Sequence, residues 1–401
     1  MTDEGRQKRI LKLGVIGLGR AFTLMLPTFA VDRRVKLCAA TDPRPEARAL
    51  FTSEFGPAYE TVEQLCADPE VEAIYVSSPH QMHAEHVQTA AKAGKHVLVE
   101  KPMAITIEQC DSMIDAARKA GTHLIVGHSH SFNRPIQRLR ELIQGGEFGA
   151  VRMISALNYT DFLYRPRRPE ELVTAQGGGV VFSQAAHQID ILRLIGGGRV
   201  KTVSAATGSW DSARRTEGAY SALLSFETGA FASATYSGYG HFDSDELMGG
   251  IDEMGQQKEP GRYGAARRAL RSAANSDVEA ALKSARNYGG AGYKPPSPIS
   301  GLQHQHFGFV VVSCDKADLR PLPSGVMIYT DETLRLDPLP APQIPRSEVI
   351  DELYEAATNG KPPLHSGEWA RATLEVCLAI LRSAQEGRTI ILKHQIAAVA
   401  D

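Results

Sequence analysis

A chain of 401 residues, 43% hydrophobic and 22% charged, is long enough for two or three domains with ordinary buried cores. Its 44 Lys and Arg against 46 Asp and Glu leave a formal charge of −2, which excludes a global electrostatic case for nucleic acid or an anionic membrane. No apolar run approaches the roughly 20 residues of a membrane span, and five scattered cysteines without a CxxC pair argue against a disulfide framework or structural zinc. The stretch Met1 to Lys12 is polar and lacks a signal peptide's apolar core, so the expected compartment is the cytoplasm.

Leu11 to Ile16 is a short apolar run that meets Gly17-Leu18-Gly19-Arg20 and then helix-compatible residues to Val31. Val35 to Thr41 is a second β-rich run ending at Asp42, and Glu46 to Phe55 reads as a helix. Val71 to Ser77, His96 to Val99 and His123 to Val126 read as strands. Between them lie helices over His83 to Ala93 and Ile107 to Ala120, stopped by Gly94 and Gly121. This alternation predicts a parallel sheet covered on both faces, over residues 1–127.

The pattern changes over 128–401. Ile136 to Gln144 and Val180 to Ile195 read as helices ended by glycines. Val200 to Gly208, Tyr220 to Phe226 and Gly229 to Tyr236 read as strands joined by short turns, which predicts an α+β segment with an antiparallel sheet. About 242–305 the rhythm breaks in an insertion rich in Gly, Ala, Arg and Pro, with one helix expected from Arg262 to Asn287. Strands are expected again at Phe307 to Ser313 and Val326 to Tyr329, and Leu336 to Pro345 reads as an extended connector. Two helices (Ser347 to Asn359, Ser366 to Gln385) and a short strand (Thr389 to Leu392) follow.

Gly17-x-Gly19 follows a strand and opens a helix, so Gly17, Gly19 and the first helical residues Arg20, Ala21 and Phe22 are expected at a pyrophosphate. Phe22 stands where a third small residue is usual. Asp42 ends the second strand, where a carboxylate accepts ribose hydroxyls and repels a 2′-phosphate; the expected cofactor is NAD, with NADP second because Arg44 follows.

Two segments, Ser78-Pro79-His80-Gln81-Met82-His83 and Ala93-Gly94-Lys95-His96-Val97-Leu98-Val99-Glu100-Lys101-Pro102, resemble the Gfo/Idh/MocA oxidoreductase family. The resemblance implies an N-terminal Rossmann domain, a C-terminal α+β domain on a large open sheet, and a hydride-transfer site between them. It places Ser78, Pro79, His83 and Glu100 at the cofactor and makes Lys101 catalytic. The residue chemistry agrees: a lysine at the carboxyl end of a parallel strand, partly desolvated, has a lowered pKa and can exchange a hydroxyl proton.

Gly177-Gly178-Gly179 and then Ser183-Gln184-Ala185-Ala186-His187-Gln188-Ile189-Asp190 resemble the family's helix facing the nicotinamide. The resemblance makes His187 the catalytic histidine. Ser183 stands where polyol-oxidising members carry Asp, so the expected pair is Lys101 and His187. Asp190, His128, His130, Arg134, Arg165 and Arg167 are the candidate substrate-side residues, the arginines because guanidinium clamps a carboxylate well. No metal is expected, since His128 and His130 lack an acidic or cysteine ligand nearby.

The segments Gly238 to Asp243 and His306 to Pro321 resemble the branch that oxidises phthalate cis-4,5-dihydrodiols to 4,5-dihydroxyphthalate. The implied partner is a small dicarboxylate diol, and the implied assembly a homodimer or homotetramer, with no nucleic acid and no membrane. A sugar or polyol dehydrogenase of the same family and a non-catalytic NAD-binding regulator stay open as alternatives.

Overall fold

Apolar strands pair first. β1 (Leu11–Ile16), β2 (Val35–Thr41), β3 (Ala58–Tyr59), β4 (Ala73–Val76), β5 (His96–Val99) and β6 (Leu124–Val126) form one parallel sheet in the order β3-β2-β1-β4-β5-β6. The computed structural model describes residues 9–295 and 301–398. Most of the polar N-terminal stretch and residues 296–300 of the insertion lie outside the described residues.

All four residues of β4 are buried, as a strand covered on both faces requires. The covering helices are α1 (Arg20–Val31), α2 (Pro45–Glu54), α3 (Val62–Ala67), α4 (His83–Lys92) and α5 (Ile107–Ala120). Thr61 and Thr106 accept from backbone amides at the starts of α3 and α5, and Gly121 ends α5 at φ 66°. This strand order is doubly wound, with the ligand crevice at the carboxyl ends where the order reverses between β1 and β4.

The second half comprises α6 (Arg134–Gln144), β7 (Val151–Tyr159), α7 (Ala186–Gly196), β8 (Val200–Gly208), β9 (Ala219–Phe226), β10 (Phe231–Ser237), α8 (Ala265–Arg271), α9 (Ser276–Ser284), β11 (Phe309–Cys314), β12 (Asp318–Leu322), β13 (Gly325–Tyr329), β14 (Leu334–Pro338), α10 (Ser347–Asn359), α11 (Gly367–Glu386) and β15 (Ile390–Ile391). Its strands make a nine-stranded open sheet in the order β14-β13-β12-β11-β7-β10-β9-β8-β15. Every neighbour pair is antiparallel except β7 with β10.

Besides the two-residue β3, three strands of this second sheet depart from the sequence reading. β7, the strand linking the two halves of this sheet, was not expected, because Arg152, Ser155 and Asn158 break its apolar alternation. β12 and β14 carry Pro321 and Pro338 among charged residues, which hides their strand signal; β14 is the sheet's edge, where proline is tolerated. The single helix expected over 262–287 is two helices, because Asn275 caps a new start by accepting from Val278 N. α10 lies in the segment assigned to the second domain, yet Val349, Ile350 and Leu353 pack fully buried into the core around Leu11 and Leu13. Among the described residues no helix is long and apolar enough to cross a membrane.

Candidate active site

The β1–α1 turn is built on glycine. Gly17 has φ +91°, and a Cβ there would sit 2.9 Å from Ser78 N, so only glycine fits. Gly19 caps α1 without a side-chain hydrogen bond. The first-turn amides of Arg20, Ala21 and Phe22 therefore keep no side-chain acceptor of their own, which suits an anion at the helix N-terminus. The Phe22 ring turns into the core, edge-on to Tyr288 at 5.2 Å, which explains how a large residue is accommodated at this position.

Asp42 is buried at the end of β2. Its Oδ2 accepts from Leu18 N at 2.7 Å, and its Oδ1 accepts from Arg44 N and Nε, both at 2.9 Å. The carboxylate thus braces the glycine turn and holds Arg44, which also donates to the carbonyls of Leu18 (2.9 Å) and Tyr288 (3.0 Å). The opposite wall is tied together by His83, whose ring nitrogens lie 2.9 Å from Ser78 O and 3.1 Å from Pro102 O. That ring joins the Ser78-Pro79 turn to the Lys101-Pro102 turn, and burial lowers its pKa to about 4. Glu100 Oε1 accepts from Tyr75 Oη at 2.6 Å, and burial pushes its carboxyl pKa up.

Lys101 stands just past the end of β5, and its Nζ donates to the backbone carbonyl of Ser183 at 2.9 Å. Ser183 belongs to a single π-helical turn, Val181–Ala185, immediately before α7. Its side chain brings no carboxylate, but its carbonyl fixes the amine. Burial lowers the Lys101 pKa to about 8.

His187 lies in the first turn of α7 and makes no hydrogen bond among the described residues; its Nδ1 is buried without a partner. Its ring stands 4.7 Å from that of His130 and 5.0 Å from that of Phe307, between centroids. Asn133 joins the other two imidazoles: its Nδ2 donates to His130 Nδ1 at 2.8 Å, and its Oδ1 lies 3.2 Å from His128 Nε2. Burial holds all three rings well below the ordinary histidine pKa, with Lys101 nearby adding to the effect at His130 and His187. They are neutral at pH 7, each able to donate from one nitrogen and accept at the other.

The arginine loop after β7 splits in role. Arg167 stacks 3.6 Å from the Phe162 ring and donates to Phe162 O at 2.8 Å, while its Nε is buried without an acceptor. Arg165 Nε donates to Asp161 Oδ1 at 3.1 Å. Two expected substrate residues lie elsewhere. Arg134 pairs with Glu141 on the outer side of α6. Asp190 is buried against α11, and accepts from Trp369 Nε1 (2.6 Å), Thr373 Oγ1 (2.8 Å), Ser129 Oγ (2.7 Å) and Ser131 Oγ.

Two cleft residues had no sequence signal. Arg346, in the connector before α10, is the only non-glycine with positive φ among the described residues, at 54°. It donates to Gln305 Oε1 (3.2 Å) and Met254 Sδ (3.4 Å), and no carboxylate among the described residues pairs with it. Its charge reaches Lys101 and the three histidines. Such a strained cation without an ion pair is the kind of residue that function maintains. Glu253, on the insertion, accepts from Asn158 Nδ2 at 3.2 Å.

Comparisons with known proteins agree with this geometry. Residues 11–128 match the model of the GFO/IDH/MocA oxidoreductase family, NAD-binding Rossmann fold, and residues 136–248 match the GFO/IDH/MocA C-terminal domain. The chain is 49% identical over 377 residues to the 1-carboxy-3-chloro-3,4-dihydroxycyclohexa-1,5-diene dehydrogenase of Comamonas testosteroni, covering 94% of this chain and 95% of that protein. Among solved structures it resembles a Bordetella bronchiseptica RB50 chain assigned as a dehydrogenase, with a TM-score of 0.89, 41% identity, and coverage of 96% of this chain and 100% of that one. It shares the fold of the aldose-aldose oxidoreductase of Caulobacter crescentus, with a TM-score of 0.71 at 24% identity over 96% of this chain and 100% of that one. A doubly wound parallel sheet with a glycine turn between β1 and α1, a lysine past the end of β5, and these matches agree: the chain is a dehydrogenase of the NAD-binding GFO/IDH/MocA family.

Proposed function

We propose that the protein oxidises a cis-dihydrodiol of an aromatic carboxylate. The observation that carries the reading is the half-buried Lys101 and buried His187 in a cleft with Arg346, which pairs with no carboxylate among the described residues, and Arg167, whose Nε is buried without an acceptor. The Comamonas relative's name describes a carboxylated ring diol, which supports the same substrate class. Phthalate 4,5-cis-dihydrodiol is the dicarboxylate candidate, and a ring diol with one carboxylate is its rival.

Bound NAD⁺ supplies the hydride acceptor. Gly17, Gly19 and the amides of Arg20, Ala21 and Phe22 would hold its diphosphate, and Asp42 its ribose, with Ser78, Pro79, His83 and Glu100 shaping the nicotinamide end. Lys101, uncharged, accepts the substrate's hydroxyl proton at Nζ, and Ser183 O keeps that amine aimed. His187 offers a neutral nitrogen to the same hydroxyl. His128 and His130 wall the ring, and Arg346, Arg167 and Arg165 bind carboxylate. We assign Arg134 and Asp190 to support of the scaffold. The ketone formed tautomerises to a catechol, so aromaticity drives the reaction forward.

The direct test offers purified protein the phthalate dihydrodiol, a monocarboxylate ring diol, myo-inositol and glucose with NAD⁺, and follows NADH absorbance. Turnover of a carboxylated diol is expected; turnover of the polyols alone sinks the reading. Arg346→Ala is expected to raise KM for the carboxylated diol roughly tenfold or more with a smaller change in kcat, the signature of a lost charged hydrogen bond. Asp42→Ala frees Arg44 and removes the ribose acceptor, so the NAD-to-NADP affinity ratio, read by calorimetry, should fall roughly tenfold. A ratio that rises instead overturns the role of Asp42.

We also read the protein as a homodimer or homotetramer. Met153, Leu223 and Phe231 lie exposed on one outer face of β7, β9 and β10, an apolar area of the kind that subunit contacts cover. Light scattering on eluted protein decides this.

A further inference from the structure

The insertion sets one foot on the cofactor domain. After α9 the chain closes a compact turn: Gly290 N donates to Asn287 O and Tyr293 N to Gly290 O, both at 2.9 Å, and Gly292 N donates to Ala285 O at 2.8 Å. Gly289 has φ +71°, and a Cβ there would lie 3.1 Å from Ala47 Cα, so the turn rests on the start of α2. Tyr288, beside it, is fully buried in the same cluster as Leu13 of β1 and Phe51 of α2. Its ring meets Phe22 of α1 edge-on at 5.2 Å, and its Oη donates to Glu54 Oε2, at the end of α2, at 2.6 Å. The other end of the segment is fixed in the second half of the chain, where Glu279 of α9 accepts from Arg214 Nη1 and from Arg167 N, both at 2.7 Å. The stretch from α9 to Tyr293 is thus a strap pinned at both ends.

What the foot of the strap holds is Arg44. A guanidinium donates from three nitrogens. Asp42 takes two of them: its Oδ1 accepts from Nε at 2.9 Å and its Oδ2 from Nη2 at 3.2 Å. Leu18 O also accepts from Nη2, at 2.9 Å. Nη1 is the corner that the end of β2 and the glycine turn leave free, and Tyr288 O accepts from it at 3.0 Å. That carbonyl is held in place, because the Tyr288 side chain is fixed by Phe22 and Glu54 and the next residue lies against Ala47. Arg48, a second cation beside this strand end, donates to the carbonyls of Asp42 (2.8 Å) and Pro43 (3.1 Å).

An acid at the end of the second strand faces the ribose hydroxyls of NAD, and an arginine nearby is the group that accommodates the 2′-phosphate of NADP. Guanidinium recognises phosphate best with two donors at once. With all three nitrogens committed, Arg44 turns to a phosphate only by leaving Tyr288 O and the buried Asp42 carboxylate, which then stands bare beside the dianion. We propose that Tyr288 is a specificity-determining residue for the cofactor: its backbone carbonyl, held by the inserted strap, keeps Arg44 turned inward on Asp42 and so selects NAD against NADP. The inference rests on the ribose site proposed at Asp42. Phe22, the large residue at the third position of the glycine motif, is the surface on which the Tyr288 ring packs, so the departure from the motif and the insertion belong to one device.

The experiment measures the Kd of NAD⁺ and of NADP⁺ by calorimetry, with Tm as the check on folding. The full-length proteins are wild type, Tyr288→Ala, Gly289→Val, Arg44→Ala, and each strap variant combined with Arg44→Ala. Gly289→Val lifts the turn off Ala47 by strain at positive φ and leaves the buried ring alone, so it carries the test if Tyr288→Ala does not fold. Wild type is expected to favour NAD⁺. In the strap variants the NADP⁺ Kd should fall roughly tenfold, the worth of a charged hydrogen bond, while the NAD⁺ Kd moves by less than about threefold. Adding Arg44→Ala should erase that gain, whereas Arg44→Ala alone should cost NADP⁺ less. An NADP⁺ Kd unchanged in the folded strap variants overturns the proposal. So does a gain that survives the loss of Arg44, which assigns it to Arg48 instead. A wild type that binds both cofactors equally overturns the ribose reading as well; a preference for NAD⁺ that persists in the strap variants overturns the role of Tyr288 alone.

Discussion

Lys101→Ala is expected to lower kcat for diol oxidation by roughly 10²–10⁴-fold, the range of a positioned general base. NAD affinity should stay near wild type, because the residues expected at the diphosphate and ribose belong to the β1–α1 turn and to the end of β2. The same lysine sets the pH dependence. Burial lowers its pKa to about 8, so the neutral amine is the minor form at pH 7. Oxidation needs that form, and kcat should therefore rise with pH through about 8 and then level off. Reduction needs the ammonium and should fall over the same interval. The histidines do not create a second limb near neutrality, since burial holds His128, His130 and His187 well below their usual pKa. An oxidation rate flat from pH 6 to 9 with chemistry rate-limiting, or a Lys101→Ala enzyme near wild-type kcat, removes the lysine from the mechanism.

The N-terminal sheet was legible because a doubly buried strand must be a continuous apolar run, and because glycines end its helices. β1, β2 and β5 fall on the expected residues for that reason. The second sheet was less legible. Its strands are wet on one side, so β7 mixes arginine, serine and asparagine with its buried residues. Lys101 and His187 are named through the motifs that resemble the family's, and the fold sets the first just past β5 and the second in the first turn of α7. Arg346 and Glu253 belong to no such motif. Each lies in a stretch whose composition reads as a connector, and each reaches the cleft through tertiary contacts with no period: Arg346 through Gln305 and Met254, Glu253 through Asn158. Asp190 is placed by partners with no sequence period: its carboxylate is taken by Trp369 and Thr373 of α11 and by the hydroxyls of Ser129 and Ser131.

Asp190 consequently predicts a stability effect. Its Oδ1 accepts from Trp369 Nε1 and Thr373 Oγ1, and its Oδ2 accepts from the hydroxyls of Ser129 and Ser131. Asp190→Ala removes the acceptor of four buried donors at once; the indole has no other among the described residues, while the Ser129, Ser131 and Thr373 hydroxyls fall back on Ser131 Oγ, His365 Nε2 and Trp369 O. The loss is expected to be about 3–5 kcal/mol, as for a buried charge network deprived of one partner, and Tm should fall by roughly 10 °C. Asp190→Asn should cost less, about 1–2 kcal/mol. The amide oxygen can still take the indole and threonine donors, which cannot both be reversed, because indole only donates. Its NH₂ then meets two serine hydroxyls that can rotate and accept. The order Ala worse than Asn in Tm therefore identifies a buried hub between β6, α7 and α11. A substrate contact gives the other pattern: KM rises in both variants while Tm holds. If that pattern is found, the carboxylate belongs in the cleft after all, and α7 must turn to bring it there.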